Sequence, residues 1–222
     1  MLKFDTPAPV AAVLDVPAGR IRFIAADRAD TAVEVLPADA SRGRDVRAAE
    51  RTEVAYADGV LRISAPEARN QYFGPSGSVE VTVRLPAGSR VEGRLSGAEL
   101  RVVGRLGDVA FEGTHGSVEI DEAASMRLTA AGDVVVGRLG GPAEISTQQG
   151  DIRIAEAVRG TVVLRTQMGD VSVGAAHGVL AALDAGTGHG RIHNILRNAD
   201  GPAAGLTIHA TTSCGDITAR SL

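Results

Sequence analysis

The chain has 222 residues, which is enough for one large domain or two small ones. Apolar residues make up 44% of it, but aromatic residues only 3%, and tryptophan is absent. Small and β-branched side chains must therefore fill the interior. The formal net charge of −4 argues against a nucleic-acid-binding face, which is usually basic.

The ends of the chain and its single cysteine bear on location. The opening residues MLKFDTPAPVAAVLDV lack a charged segment followed by an uninterrupted apolar one, so a signal peptide is not expected. No segment approaches the ~18 apolar residues of a membrane helix. Cys214 cannot form an internal disulfide and suits a reducing compartment. We therefore expect a cytoplasmic protein without membrane insertion.

The first part of the chain reads as a series of short strands. Alternating apolar and polar residues predict strands over 10–16, 20–25, 31–36, 52–56, 60–64 and 78–85. Ala57-Asp58-Gly59 is a hairpin signal, and Pro17-Ala18-Gly19 separates the first two strands. A short helix is predicted over 45–51. Residues 66–77 form a Pro/Gly-rich loop that carries Tyr72 and Phe73, which either cover one end of the core or anchor a partner.

A phrase of Thr, two variable residues, Gly and usually Asp recurs in the C-terminal half. The five copies begin at Thr129, Thr147, Thr166, Thr187 and Thr212. Their spacing grows from 18 to 25 residues, a period that predicts an all-β β-solenoid or β-roll with coils of about 20 residues. The repeat turns would be made by Gly132, Gly150, Gly169, Gly190 and Gly215, because glycine permits a sharp bend.

Two irregularities interrupt the repeat. Arg127 falls where Ile145 and Leu164 fall in later copies, which predicts a bulge or a slipped strand. Residues 198–204 (NADGPAA) read as a loop inserted before the last copy. The predicted organisation is a strand-rich N-terminal section over 1–88 and solenoid repeats over 89–222, or one continuous domain containing both.

The repeated aspartates are the first candidates for a binding site. Stacked coils lie ~4.8 Å apart, so Asp133, Asp151, Asp170 and Asp216 could form a carboxylate ladder that binds calcium. Alternatively, each Asp satisfies backbone donors in its own turn. Arg191 occupies the same register and would interrupt a continuous metal site. We favour the structural role.

The histidines give a second metal candidate. His193 and His209 could face outward on neighbouring coils with Cys214 nearby. The position before the repeat glycine varies freely, however, and holds Ala131, Gln149, Met168, His189 and Cys214. His189 and His193 lack the glutamate and the helix of a zinc protease. No metal and no cofactor is therefore predicted.

No constellation of catalytic residues stands out. The glycines at 186, 188 and 190 are not followed by a helix, on which phosphate binding of the dinucleotide type depends. Enzymes of parallel β-helix fold that cleave polysaccharides need clustered carboxylates and aromatic platforms for sugar rings. With two Tyr, four Phe and no Trp, this class is not expected. We predict that the chain is not an enzyme.

The pattern as a whole resembles the bacterial putative-adhesin family of β-strand-repeat proteins, a domain of unknown function. The matching segments are FDTPAPVAAVLDVPAGRIRFIAADRADTAVEV, VEVTVRLPAGSRVEG, GRIHNIL and TTSCGDITARS, which span nearly the whole chain. The resemblance implies a β-solenoid-like body with a strand-rich N-terminal part. It supplies no catalytic residues.

These observations predict a non-enzymatic scaffold or protein-interaction module. Stacked coils end in unpaired strand edges, which invite pairing with another chain, so self-association through the solenoid ends is expected. The C-terminal coil, with Ile217 and Arg220, is the predicted contact because little sequence follows its last strand. The alternatives are a surface adhesin, and a metal- or ligand-binding protein that uses the Asp ladder.

Overall fold

The computed structural model describes residues 1–65, 77–197 and 204–222. Of these residues 70% lie in strands and 4% in a helix, which confirms the all-β prediction. The chain divides into two compact units, Met1–Gly116 and Ser117–Leu222.

The N-terminal unit contains seven strands and one helix. They are β1 (Leu2–Asp5), β2 (Ala11–Ala26), β3 (Asp30–Pro37), α1 (Gly43–Arg51), β4 (Glu53–Ala57), β5 (Val60–Ser64), β6 (Val79–Pro86) and β7 (Arg90–Thr114). The long strands β2 and β7 pair in parallel, in a register that runs from Ala11 opposite Arg90 to Ala25 opposite Gly104.

Strand β2 organises this unit because it changes partner halfway along its other edge. Its first half pairs in parallel with β5, and its second half pairs in parallel with β6. Strand β3 lies antiparallel to β6, and β1 antiparallel to β3. The predicted break at Pro17-Ala18-Gly19 is instead a point within one continuous strand. Gly19, with φ +142°, lies there so close to β6 that a Cβ would fall 1.8 Å from the Val79 carbonyl oxygen.

The local predictions for the N-terminal unit are largely confirmed. Strands β4 and β5 form an antiparallel hairpin. Asp58 and Gly59 at its tip both have positive φ, which is typical of a type I′ turn. Helix α1 begins two residues before the predicted start. Its Asp45 is buried, and the carboxylate Oδ1 accepts the Ser78 N–H at 3.0 Å, which fastens the helix to the start of β6. Tyr72 and Phe73 lie outside the described residues.

The C-terminal unit consists of coils that each contribute one strand to each of two parallel ladders. Its strands are β8 (Val118–Ala130), β9 (Val134–Leu139), β10 (Ala143–Gln149), β11 (Ile152–Ala157), β12 (Gly160–Met168), β13 (Val171–Ala175), β14 (Ala181–His189), β15 (Ile192–Ile195), β16 (Leu206–Cys214) and β17 (Ile217–Ser221). The first ladder runs β8, β10, β12, β16, β14. The second runs β8, β9, β11, β13, β17, β15.

The order of the coils in space differs from their order in sequence. The last coil, β16–β17, lies between the β12–β13 coil and the β14–β15 coil, since Val171 pairs with Ile217 and Ile217 pairs with Ile192. This corrects the expectation that the C-terminal coil lies at an open edge. The longer connection between β15 and β16, residues 196–205, accompanies this exchange. The coil at the end of the ladders is therefore β14–β15.

Side chains from successive coils form continuous rows in the core of this unit. One row contains Leu128, Ile145 and Leu164, all at most 1% exposed. Ala130 lies opposite Thr147, so the first copy is displaced by one residue and Arg127 faces outward opposite Glu144. Three residues lie between Ala130 and Val134, one fewer than between their partners Thr147 and Ile152 in the next coil. The predicted slip around Arg127 is thus confirmed.

Candidate functional site

The threonine of the repeat joins adjacent coils through its side chain. The hydroxyl groups donate to the glycine carbonyl oxygen of a neighbouring coil, from Thr147 to Gly132, Thr166 to Gly150, Thr212 to Gly169 and Thr187 to Gly215, at 2.8–3.1 Å. Three of these threonines, Thr147, Thr166 and Thr212, are only 5% exposed. A buried hydroxyl needs a partner, and the repeat supplies one at every step.

The aspartate of the repeat forms a second link on the same edge. Its Oδ1 accepts the backbone N–H of the equivalent residue in the following coil, from Asp151 to Asp133, Asp170 to Asp151, Asp216 to Asp170 and Arg191 to Asp216, at 2.7–2.8 Å. Each carboxylate therefore bonds outside its own turn and holds two coils in register. Hydrogen bonds of this charge-assisted kind are stronger than neutral ones.

The glycine between them permits the close stacking of the turns. Gly169 has φ +147°, and a Cβ on it would lie 2.1 Å from the Gly150 carbonyl oxygen. At Gly190, with φ +157°, a Cβ would lie 1.9 Å from the Gly215 carbonyl oxygen. Both the backbone conformation and the space exclude a side chain here.

These links have a direction, and the end coil ends them. Each coil offers a carboxylate to the N–H of the following coil, but the β14–β15 coil has Arg191 at the aspartate position. Arg191 donates its own N–H to Asp216 and offers no acceptor in turn. Among the described residues, no further coil follows β14–β15 in either ladder. The departure from the repeat therefore coincides with the end of the stack.

The end coil also exposes Ile192, an apolar side chain whose row is buried in every other coil. Ile192 is 45% exposed, whereas the residues in the same row, Val118, Val134, Ile152, Val171 and Ile217, are at most 1% exposed. Ile195 is 67% exposed, and Leu180, just before β14, is 45% exposed. Complete burial of such a side chain contributes roughly 1.5–3 kcal/mol. This end of the stack therefore has apolar surface whose burial would stabilise a contact.

Backbone donors point beyond the same end. In the preceding coils the N–H groups of Gly169 and Gly215 donate to the carbonyl oxygens of Cys214 and His189. The N–H groups of Val171 and Ile217 donate to the carbonyl oxygens of Asp216 and Arg191. The equivalent N–H groups of Gly190 and Ile192 face away from β16–β17, where the described residues place no strand. An edge of this kind is a template for strand pairing.

The end coil carries charges of both signs. The Asp184 side chain on β14 is 81% exposed, and its Oδ2 lies 3.1 Å from His209 Nδ1 on β16. His189, Arg191, His193 and Arg197 are exposed along the same coil. Acidic and basic groups thus occur together on one edge.

The residues proposed from sequence are placed as follows. Ile217 is buried, and its strand is paired on both sides, whereas Arg220 is exposed on that same strand. His193 lies in the β15 ladder and His209 in the β16 ladder, so these two are not brought into one row. Tyr72 and Phe73 fall outside the described ranges.

The described parts of the chain contain no group of three or more His, Cys, Asp or Glu side chains arranged to hold a metal ion. They also contain no helix long and apolar enough to cross a membrane. An open cleft of about 390 Å³ in the N-terminal unit includes Arg20, Glu99 and His115 in its lining. Arg20 is engaged there by the Glu80 carboxylate.

Sequence reasoning missed Leu180, Ile192 and Ile195 as exposed residues. Arg191 could have indicated this end of the stack, because it is the one residue among the five repeat copies that replaces the aspartate. A coil without this carboxylate cannot bond the N–H of a following coil. It is therefore suited only to the end of the stack.

One family model and two solved structures are similar to this chain. A model of the family described as Toastrack DUF4097 matches residues 13–221. A putative adhesin from Bacteroides fragilis has 14% identity and a TM-score of 0.54, with 98% of this chain and 95% of that chain covered. A putative cell adhesion protein from Clostridium sporogenes has 12% identity and a TM-score of 0.42, over 100% and 98% of the two chains. No curated protein matches. At 14% identity, the Bacteroides fragilis protein shows a shared fold alone.

Proposed function

The chain belongs to the Toastrack DUF4097 family, and on that premise we propose that it is a non-enzymatic β-solenoid interaction module that self-associates through its end coil, β14–β15. The observation that carries the proposal is the 45% exposure of Ile192, in a row whose other members are buried. An unpaired strand edge and exposed apolar side chains at the same end form a surface that a second strand can cover.

The proposed occupant is a second copy of this chain in a two-fold arrangement. A two-fold contact places one edge against itself, so that edge must carry complementary groups. The end coil does so, because Asp184 lies on β14 and the basic Arg191 and Arg197 lie on or beside β15. Head-to-tail extension by a further coil is disfavoured, since Arg191 offers no carboxylate to the next N–H.

The non-enzymatic part of the proposal is supported by what the polar residues of the repeat do. The threonine hydroxyls and aspartate carboxylates that recur along the stack are hydrogen-bonded to the backbone of neighbouring coils. Groups engaged in this way hold the scaffold together.

Light scattering coupled to size exclusion, over a wide range of protein concentrations, tests the proposal. We expect the mass to rise from that of one chain to that of two. Ile192→Lys should keep the protein monomeric, because it puts a charge into the centre of the contact. Val135→Lys is the matched control, since Val135 is 39% exposed on β9, a strand paired on both edges. It should dimerise like the parent chain.

Two results would overturn the proposal. A mass of one chain at every concentration would show that the end coil has no partner of its own kind. Equal loss of dimer in Ile192→Lys and Val135→Lys would show that the contact does not involve this end. Circular dichroism and thermal melting of each variant establish that it is folded, and Ile195→Lys serves as a second edge variant.

A further inference from the structure

The coil exchange creates a row of three sulfur- and nitrogen-bearing side chains that sequence order does not suggest. Met168 on β12 pairs with Cys214 on β16, and Cys214 pairs with His189 on β14. In sequence the coil of His189 comes directly after that of Met168. In space the coil of Cys214 lies between them.

Register on parallel strands places these three side chains on one corner of the stack. Adjacent strands lie about 4.8 Å apart, so the cysteine has a longer side chain one strand away on each side. All three residues are exposed, Met168 by 54%. Each is followed by a repeat glycine, Gly169, Gly215 or Gly190, so no side chain from the next position crowds the row.

We propose that Met168, Cys214 and His189 form a binding site for a soft monovalent metal ion, with Cu(I) as the natural candidate. A thiolate, a thioether and an imidazole are the donors that copper accepts, and thiolate and thioether together select Cu(I). The short cysteine at the centre brings its sulfur beneath the ion, and methionine and histidine close over it from the two flanking strands.

Zinc and calcium fit this donor set less well. Structural zinc sites use four Cys, His or carboxylate ligands, and the row offers only two of these. Calcium takes oxygen ligands. Gln149, which lies opposite Met168 on β10, extends the row but provides an amide rather than a soft donor.

The test is competition for Cu(I) against the colorimetric chelator bicinchoninate, under anaerobic reducing conditions, with the full chain. We expect the protein to withdraw one Cu(I) per chain. Cys214→Ser should abolish this. Met168→Leu and His189→Gln should each weaken binding by about tenfold or more, because each removes one of three metal–ligand bonds.

Matched controls separate a built site from a lone reactive thiol. Gln149→Leu changes the neighbour of Met168 in the row, and His193→Gln changes an exposed histidine outside the donor set; both should bind Cu(I) like the parent chain. Unchanged affinity in both Met168→Leu and His189→Gln would overturn the proposal, because Cys214 would then bind copper alone. Equal weakening by His189→Gln and His193→Gln would also overturn it.

His189 lies on the end coil, so the titration is repeated in the Ile192→Lys background. Binding retained there shows that the metal site exists in the single chain, whatever the outcome for self-association. Loss of copper binding in a folded Ile192→Lys chain would contradict a site built from one chain's own residues.

Discussion

The aspartate links between coils can be tested by removing one of them at the centre of the stack. Asp170 is suited to this, because its Oδ1 accepts the Asp216 N–H at 2.7 Å and its own N–H is bonded to Asp151. Asp170→Ala removes the acceptor and leaves the backbone unchanged. Asp170→Asn removes the charge but keeps an oxygen in the same position.

The expected magnitude follows from two opposing effects. A hydrogen bond to a charged group contributes about 1.5–3 kcal/mol, at the low end here because the carboxylate is exposed. Asp151 and Asp216 each lie roughly one strand spacing from Asp170, and each pair of charges repels by about 0.8 kcal/mol in water. Physiological salt reduces the sum for the two pairs by roughly half, to about 0.8 kcal/mol. We therefore expect Asp170→Ala to cost about 1 kcal/mol, and Asp170→Asn less than half of that.

Thermal unfolding and hydrogen exchange together provide the assay. A cost of about 1 kcal/mol lowers the Tm of a chain of this size by roughly 2–4 °C. The difference between the parent chain and Asp170→Ala should grow with added salt, because salt screens the repulsion that the substitution relieves. Among these variants, only Asp170→Ala should speed hydrogen exchange at the Asp216 amide.

Asp184→Ala is the control, measured at pH 8 and at a protein concentration low enough to keep the chain monomeric, since it removes a carboxylate of the same unit that is 81% exposed and outside the row. It should change the Tm little. Equal destabilisation by Asp170→Ala and Asp184→Ala would refute a specific link between coils. So would an Asp216 amide whose exchange rate does not respond.

Three further predictions concern single residues. Gly169→Ala should destabilise the protein by several kcal/mol more than Gly178→Ala. Both glycines have positive φ, but only at Gly169 would a Cβ meet the Gly150 carbonyl oxygen. Equal melting temperatures of the two variants would contradict this. Thr166→Val should cost about 1 kcal/mol in chemical denaturation, since the side chain still fits a site that is 5% exposed while the Gly150 carbonyl oxygen loses its donor. The Arg28 guanidinium, with Lys3, lowers the pKa of Asp30 from 3.8 to about 2, so the stabilisation by Asp30 is present above pH 4 and is lost as the pH falls towards 2. The difference in Tm between Asp30→Asn and the parent chain should therefore shrink over this range, and a difference at pH 2 as large as that at pH 5 would contradict it.

Much of the fold could be predicted because its determinants are local. Alternation along strands located β3, β5 and β6, and the Asp58-Gly59 pair located the β4–β5 hairpin. The mismatch at Arg127 indicated a bulge or a slipped strand, and the structure shows a displacement by one residue. These features depend on residues close together in the sequence, so local conformational preferences are enough to predict them.

The spatial order of the coils could not be read in the same way. Every coil presents similar inward side chains, so packing in the core is compatible with more than one spatial order of the coils. The residue that distinguishes the coils is Arg191, and its meaning depends on knowing that each aspartate bonds the next coil rather than its own turn. From the sequence, Asp133, Asp151, Asp170 and Asp216 are assigned to hydrogen bonds within their own turns. That assignment gives the links between coils no direction.

The exchange of the last two coils has a physical reason that can be counted in these hydrogen bonds. In the observed order all four aspartates accept an N–H, including Asp216 from Arg191. In sequence order Asp216 would lie at the end with no N–H to accept, and the coil above Arg191 would find no carboxylate. The observed order therefore gains one charge-assisted hydrogen bond, worth about 1.5–3 kcal/mol at most. Asp216→Ala should remove this advantage and raise the exchange rate of the Arg191 amide, whereas Arg191→Ala should leave that amide protected, because Asp216 accepts from the backbone. Faster exchange at this amide in Arg191→Ala, or none in Asp216→Ala, would show that another interaction sets the order.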